Sequence, residues 1–319
     1  MNTRTQRNAA RGAIVIAALA LCSALQAQVL ISNDGGTNTV GSNIISWSIG
    51  EPIIGTGAVP GGIVTQGFHQ AEPVRLKLNI RAFLQGPYNS VSGAMNDGLR
   101  ANGLLPLTEP YTALGYPFVG GGGESTTQPI IDFPGSNAII DWVLLELRDK
   151  NDNSSVSYSR SALLQADGDI VDMDGFSAVR FPMPADDYYL AIRHRNHLAV
   201  MTLNSLTFSS APAIVDLTDG STATYGTNAQ QVVAVTHVLW AGDVNFDGTL
   251  KYTGQDNDRD PILSAIGGVV PTNTITSYHS GDVNMDGTVK YTGQDNDRDP
   301  ILQNIGGVVP TNVRVEQVP

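Results

Sequence analysis

Gly242-Asp243-Val244-Asn245-Phe246-Asp247-Gly248-Thr249-Leu250-Lys251-Tyr252-Thr253-Gly254-Gln255-Asp256-Asn257-Asp258-Arg259-Asp260-Pro261-Ile262-Leu263 returns 39 positions later as Gly281 to Leu302, with Met285 in place of Phe246 and Val289 in place of Leu250. Both copies run on into Ile-Gly-Gly-Val-Val-Pro-Thr-Asn, at Ile266 to Asn273 and Ile305 to Asn312. Such near-identity marks a recent duplication, and a duplicated segment is read first as a structural unit. Ten of the chain's 30 acidic residues fall between Asp243 and Asp299, so the acid is gathered rather than spread.

The spacing carries chemistry. Asp243, Asn245 and Asp247 stand at alternate positions before Gly248, as do Asp282, Asn284 and Asp286 before Gly287. Oxygens at positions 1, 3 and 5 of an EF-hand loop converge on calcium, and the glycine at 6 permits the sharp turn. Position 7 supplies a backbone carbonyl, here Thr249 and Thr288, and position 8 is apolar, here Leu250 and Val289. A set of hard oxygen donors without His or Cys favours calcium over zinc or copper, and two loops imply two ions. Position 12 should be acidic but is Gly254. An insertion of about four residues after position 8 makes Asp258, and Asp297 in the second copy, the closing carboxylates, with Asp256 and Asp260 as competing candidates. Ile262 and Ile266 then share a helix face, Asp260-Pro261 reads as cap and first residue, and Gly267 as the stop. Single strings of this kind also occur as ordinary acidic turns; two copies with the same flanks favour metal. Carboxylates drawn to one centre repel and need a dication, so Val244 to Ile305 is predicted to be loosely ordered without calcium.

Residues 242 to 309, two loops each followed by one short helix, resemble a type I dockerin domain. That resemblance implies a small α-helical domain over 241–313 in which two calcium loops pack about a pseudo-twofold. It implies a cohesin-like or other cell-surface protein as partner, met by Tyr252, Thr253, Tyr291 and Thr292.

Working outward, residues 74–240 hold apolar and alternating runs such as Arg75 to Leu84, Ile139 to Arg148, Tyr188 to His194 and Gln231 to Val235. With 34 glycines and 17 prolines between them, these runs predict a mainly β chain. The expected fold is a β-sandwich of the immunoglobulin-like class, with hairpin turns at Asp167-Gly168 and Asp174-Gly175 and no long helix, followed by the dockerin-like domain. Residues 28–73 form a further β segment; Trp-Ser-Ile-Gly-Glu-Pro and Thr-Gln-Gly-Phe-His-Gln there resemble the N-terminal stretch of secreted Bacteroidetes surface proteins. Residues 314–319 are read as a tail.

Five other features are candidates for chemistry. Gly120 to Gly123 lacks the Gly-Lys-Ser/Thr ending of a phosphate loop and reads as a surface loop. Asp167, Asp169, Asp172 and Asp174 read as a solvated acidic face rather than a metal site. His194 and His197 flank Arg195-Asn196 and read as a structural polar pair, since no acidic partner is placed beside them. A glycoside hydrolase would need two carboxylates across a cleft, and Glu109, Glu124, Asp132, Asp141 and Glu146 are present without a spacing that selects two. Trp142 and Trp240 lie in apolar runs and read as core rather than sugar platforms.

Arg4, Arg7 and Arg11 precede an apolar run from Gly12 to Ala24, the pattern of a secretory signal peptide over residues 1–27 with cleavage at Ala27-Gln28. Leu19-Ala20-Leu21-Cys22 is similar to a lipoprotein box, except that Leu21 is not small. Loss of three arginines takes the formal net charge from -12 to -15 and loss of Cys22 leaves no thiol. A mature chain this acidic does not suit nucleic acid or anionic lipid, and disulfides and thiolate metal sites are excluded with the cysteine. No transmembrane span is expected after processing. The sequence therefore predicts a secreted, non-catalytic calcium-binding protein for extracellular adhesion, assembly or glycan binding. The alternative is a dockerin-borne subunit of a polysaccharide-degrading complex.

Overall fold

The computed structural model describes residues 75–319 in full and, before them, the backbone strands 34–40, 43–49, 55–59 and 62–66. The signal-peptide reading, with Cys22 and the cleavage at Ala27-Gln28, lies outside the described residues. Contacts divide the chain into two units, Met1–Glu72 and Pro73–Pro319. In the first, β1 (Asp34–Val40) and β2 (Asn43–Ile49) form one antiparallel hairpin, and β3 (Gly55–Val59) and β4 (Gly62–Gln66) another.

The second unit begins with β5 (Leu76–Arg81), whose alternate residues Leu76, Leu78 and Ile80 are buried as its period of two requires. After the short pair β6 (Tyr88–Asn89) and β7 (Ala94–Met95) come two four-residue helices, α1 (Gly98–Ala101) and α2 (Gln128–Ile131). Next follow β8 (Ile139–Asp149), β9 (Val156–Gln165), β10 (Asp169–Val171), β11 (Val179–Phe181), β12 (Asp186–His194), β13 (His197–Met201), β14 (Leu206–Phe208) and β15 (Ala213–Asp216). Glycines at φ +92° and +80° make the turns at Asp167-Gly168 and Asp174-Gly175, the left-handed geometry that tight turns demand. Strands β5 and β8–β15 join one nine-stranded sheet of order β11-β5-β10-β9-β8-β12-β13, with β14 also on β12 and β15 on β5. The β15–β5 pair is parallel; the other pairs are antiparallel. Ten of the eleven residues of β8 are buried, so both faces of this central strand are covered.

The strands β16 (Gln230–Val233) and β17 (Thr236–Leu239) lead into the duplicated segment. Its first copy gives β18 (Thr249–Lys251), α3 (Arg259–Ala265) and β19 (Thr274–Thr276). The second gives β20 (Thr288–Lys290), α4 (Arg298–Asn304) and β21 (Val313–Val315). The copies exchange their last strands: β21 pairs with β18, and β19 with β20. Ile262 and Ile301, both 0% exposed, carry the helices onto a shared cluster with Val244, Val283 and Val289.

The mainly β expectation holds, with nine strands of the second unit joined in one hydrogen-bonded sheet. One expectation about the fold is corrected. The small α-helical dockerin-like domain with calcium loops does not form: each copy holds one seven-residue helix beside two three-residue strands, and the segment is fused to the β unit. The fusion has a physical cause at loop position 4. Met285 is buried in the main core and Phe246 packs against that core on Tyr111, their ring centroids 6.0 Å apart. Both take positive φ, 58° and 61°, a strained backbone for non-glycine residues that aims these side chains into the β unit. At the contact, a Cβ on Gly86 would meet the Val283 carbonyl oxygen at 2.1 Å, so only glycine lets the loop approach. The helix start also differs from the sequence reading. Asp258 stands at the N-cap, Asn257 just before it accepts from Asp260 N through its side-chain oxygen at 3.0 Å, and Asp260 and Pro261 lie inside the first turn. Gly267 N and Gly268 N donate to Ser264 O and Leu263 O, so the stop falls where the glycines stand.

Candidate functional site: the duplicated acidic loops

Within each loop, two carboxylates are buried and the remaining candidates are not. Asp243 is 2% exposed and Asp258, Asp282 and Asp297 are 0% exposed. Asp243 accepts from Asp247 N and Gly248 N, both at 3.0 Å, and Asp282 accepts from Asp286 N and Gly287 N at 3.1 and 2.8 Å. Gly248 and Gly287 make that turn at φ +77° and +90°. Asp258 bridges the loop's ends: one oxygen accepts from Val244 N and Asn245 N, the other from Lys251 N at 2.8 Å. Asp297 does the same for Val283, Asn284 and Lys290. Asp256 and Asp295 lie outside at positive φ, and Asp260 and Asp299 brace the asparagines Asn257 and Asn296.

The partly exposed donors form a second tier. Asn245 Oδ1 accepts from Asp247 N at 3.1 Å, Asp247 accepts from Thr249 N at 2.8 Å, and Asn284, Asp286 and Thr288 repeat the pattern. These loop-internal bonds engage the oxygens, and among the described residues no three His, Cys, Asp or Glu side chains stand together ready to hold a metal ion.

Burial disturbs these groups. Burial and the neighbouring Asp258 push the Asp243 carboxyl well above its ordinary value. Burial raises Asp258 to about 7 against the pull of loop amides, and Asp297 to about 7 with help from Asp282. Asp282 reaches about 6, burial being partly offset by Arg195.

A second cluster, between the β unit and the repeats, was only partly legible. The β12–β13 turn places His194, Arg195, Asn196 and His197, all at most 2% exposed, beside Asp141 of β8. His194 Nε2 is 3.1 Å from Asp141 Oδ2, and His194 Nδ1 is 3.0 Å from His197 Nδ1. Because Gly86 N donates to His197 Nε2, the proton of a neutral His197 sits on Nδ1, and His194 then donates from Nε2 to Asp141. Arg195 Nε and the Tyr278 hydroxyl also donate to Asp141, at 2.9 and 2.7 Å. Burial alone would raise Asp141, but Arg195, His194 and Tyr278 outweigh it and hold it at about 2. Burial, with Arg195 adding, pushes both histidines down, so the pair is neutral at pH 7. Asn196 ties in both copies: its carbonyl accepts from Gly242 N and Asp243 N, and its Nδ2 donates to Ser280 O and Asp282 O. This constellation contains the acidic partner the sequence reading could not place, yet it is sealed from solvent. It serves as a polar joint.

The other candidates are engaged structurally. Glu146 is buried between Arg148 and Arg193, and Arg193 reaches on to Glu316. Glu109 Oε2 accepts from Tyr111 N and Thr112 N, while Gly121 N in the glycine loop donates to Ser159 O. Asp172 pairs with Arg160 and Asp169 with Arg81, so the acids of β10 and its turn meet arginines rather than each other. Trp142 is fully buried, and Arg314 covers the Trp240 ring at 3.6 Å. Tyr252 and Tyr291 carry Arg259 and Arg298 on their rings, and Thr253 and Thr292 donate across to Pro310 O and Pro271 O. An open cleft of about 350 Å³ is lined by Asp174 and flanked by Phe133 and Phe176. No helix among the described residues is long and apolar enough to cross a membrane. Compared with protein-family models, with curated proteins and with solved structures, the chain matches none.

Proposed function

We propose that this chain is a secreted, non-catalytic calcium-binding protein in which two ions fix the duplicated segment onto a β unit used for extracellular adhesion or assembly. One observation carries the calcium reading. Asp243, Asp258, Asp282 and Asp297 are buried, and none forms an ion pair among the described residues, whereas the equally buried Asp141 and Glu146 each hold arginine. A buried charge is paired, neutralised or bound to metal, and these four lack the first. The donor set fits a hard dication: carboxylates of Asp243, Asp247 and Asp258, the amide of Asn245 and the carbonyl of Thr249, repeated in Asp282, Asp286, Asp297, Asn284 and Thr288. A bound calcium would supply the positive charge that the buried carboxylates lack. The chain's own residues supply the rest: glycines that turn the loop, Asp258 and Asp297 that tie its ends, and position-4 side chains that anchor it to the core.

The support for export is the leader-like sequence at residues 1–27, and extracellular modules of this ligand class work at calcium levels of about 0.1–1 mM. Because the start of each loop touches the β unit, the first through Asn196 and the second through Asn196 and Gly86, calcium acts here as a clamp on the fold. Equilibrium dialysis of the purified chain against calcium chloride tests the reading. Two ions per chain are expected, falling to one for Asp243→Asn; retention of no calcium at 10-fold the extracellular level contradicts it.

A further inference from the structure

Although the loops are nearly the same in sequence, different groups cover them. Over the first lies Glu316. A Cβ on Gly248 would meet the Glu316 Cδ at 2.8 Å, and Glu316 N donates to Gly248 O at 2.8 Å. Over the second, the matching Gly287 faces the neutral Asn102, whose Nδ2 would lie 2.8 Å from such a Cβ and donates to Asp286 O. Behind the second loop stands the guanidinium of Arg195, 2% exposed, donating to the carbonyl of His279 three residues before Asp282. Arg195 is paired with Asp141 through Nε at 2.9 Å, while its Nη2 has no hydrogen-bond partner. Toward the first loop the same turn offers only the Asn196 carbonyl, which accepts from Asp243 N at 3.1 Å.

Resting on the calcium reading above, we propose that the two loops are unequal calcium sites: Glu316 makes the first the tighter, and Arg195 makes the second the weaker. Charges act here at short range in a partly dry setting, where one unit charge beside a dication changes affinity by about tenfold or more. Arg193 holds both Glu316 oxygens at 3.0 Å, which keeps that carboxylate against the loop rather than free in solvent. The first loop would therefore fill alone at intermediate calcium, and the second would complete the clamp only at higher levels.

Calorimetric titration of the full chain with calcium chloride at pH 8 tests this. Two steps about tenfold or more apart in affinity are expected. Asp243→Asn should delete the tight step and leave the weak one. Glu316→Gln, which keeps length and main-chain pairing, should weaken the tight step about three- to tenfold and leave the weak step unchanged. Two equal steps, or a tight step that survives Asp243→Asn, overturn the inequality while leaving calcium binding intact. Absence of any calcium-dependent heat overturns the calcium reading itself, and the inequality with it.

Discussion

Asp141 and Asp297 are both 0% exposed, yet the protein treats them in opposite ways. Asp141 meets Arg195, His194 and Tyr278 and is held ionised; Asp297 meets only backbone amides and is pushed up to about 7. The same contrast separates Glu146, gripped by Arg148 and Arg193, from Asp258. It shows that burial does not decide a carboxylate's charge; the partner does. A buried pair built from protein side chains is complete as folded, whereas on the calcium reading proposed above the loop carboxylates take their counter-charge from solution.

The largest effect expected from this contrast is at Asp141. Asp141→Ala strands the Arg195 guanidinium and the Tyr278 hydroxyl, costing about 3–5 kcal/mol in denaturant unfolding, equally with calcium and with chelator. Asp297→Asn should behave differently: in chelator it costs much less, because an amide replaces a carboxyl that burial already drives toward its neutral form. With calcium it forfeits the calcium-dependent gain, about 2.7 kcal/mol per site at a hundredfold excess over Kd. Equal losses for both variants in chelator would break the comparison.

Next in size is the pH dependence, where the two sets have opposite signs. Asp258 and Asp297 have folded values of about 7 against about 3.9 unfolded, so in chelator their contribution is full below pH 4 and lost as pH rises through 7. The rise in Tm on adding calcium should therefore be largest at pH 8 and shrink as pH falls through 7 and 6, because the bound form needs both carboxylates ionised. His194 and His197 are depressed by burial, so their contribution is present above the unfolded value of about 6.5 and lost as pH falls below it. The smallest expected effect is this acid loss itself, read by thermal unfolding in chelator, where it is superposed on the opposite trend of the loop carboxyls. A calcium-induced rise in Tm that grows toward pH 5 would contradict the assignment of raised carboxyls to the loops.

The turn of each acidic loop was legible because local spacing sets it: Asp243, Asn245, Asp247 and Gly248 are neighbours whose geometry needs nothing distant. The closing residue was legible only as one of three. Asp256, Asp258 and Asp260 alternate, and what separates them is which side chain turns inward to Val244 N and Lys251 N. The helices were read correctly on their buried face and in their length, but their setting was not. Nothing local says that Met285 enters a core built from residues 76–239, or that Gly86 lies under Val283. The polar joint has the same cause, since Tyr278 and Asp141 are 137 residues apart. One signal was available. Asp141 and Glu146 are the two acids inside the run Ile139 to Leu147, and a charge in a strand buried on both faces requires a partner.

The most direct test of the account is the unfolding free energy of the full chain at pH 8 as a function of free calcium, for the native sequence and for Asp258→Asn with Asp297→Asn together. The account predicts that native stability rises with the logarithm of calcium, approaching two ions' worth of slope at saturation, and that the double variant stays flat. A native chain whose stability is unchanged from chelator to 10-fold the extracellular calcium level would contradict it.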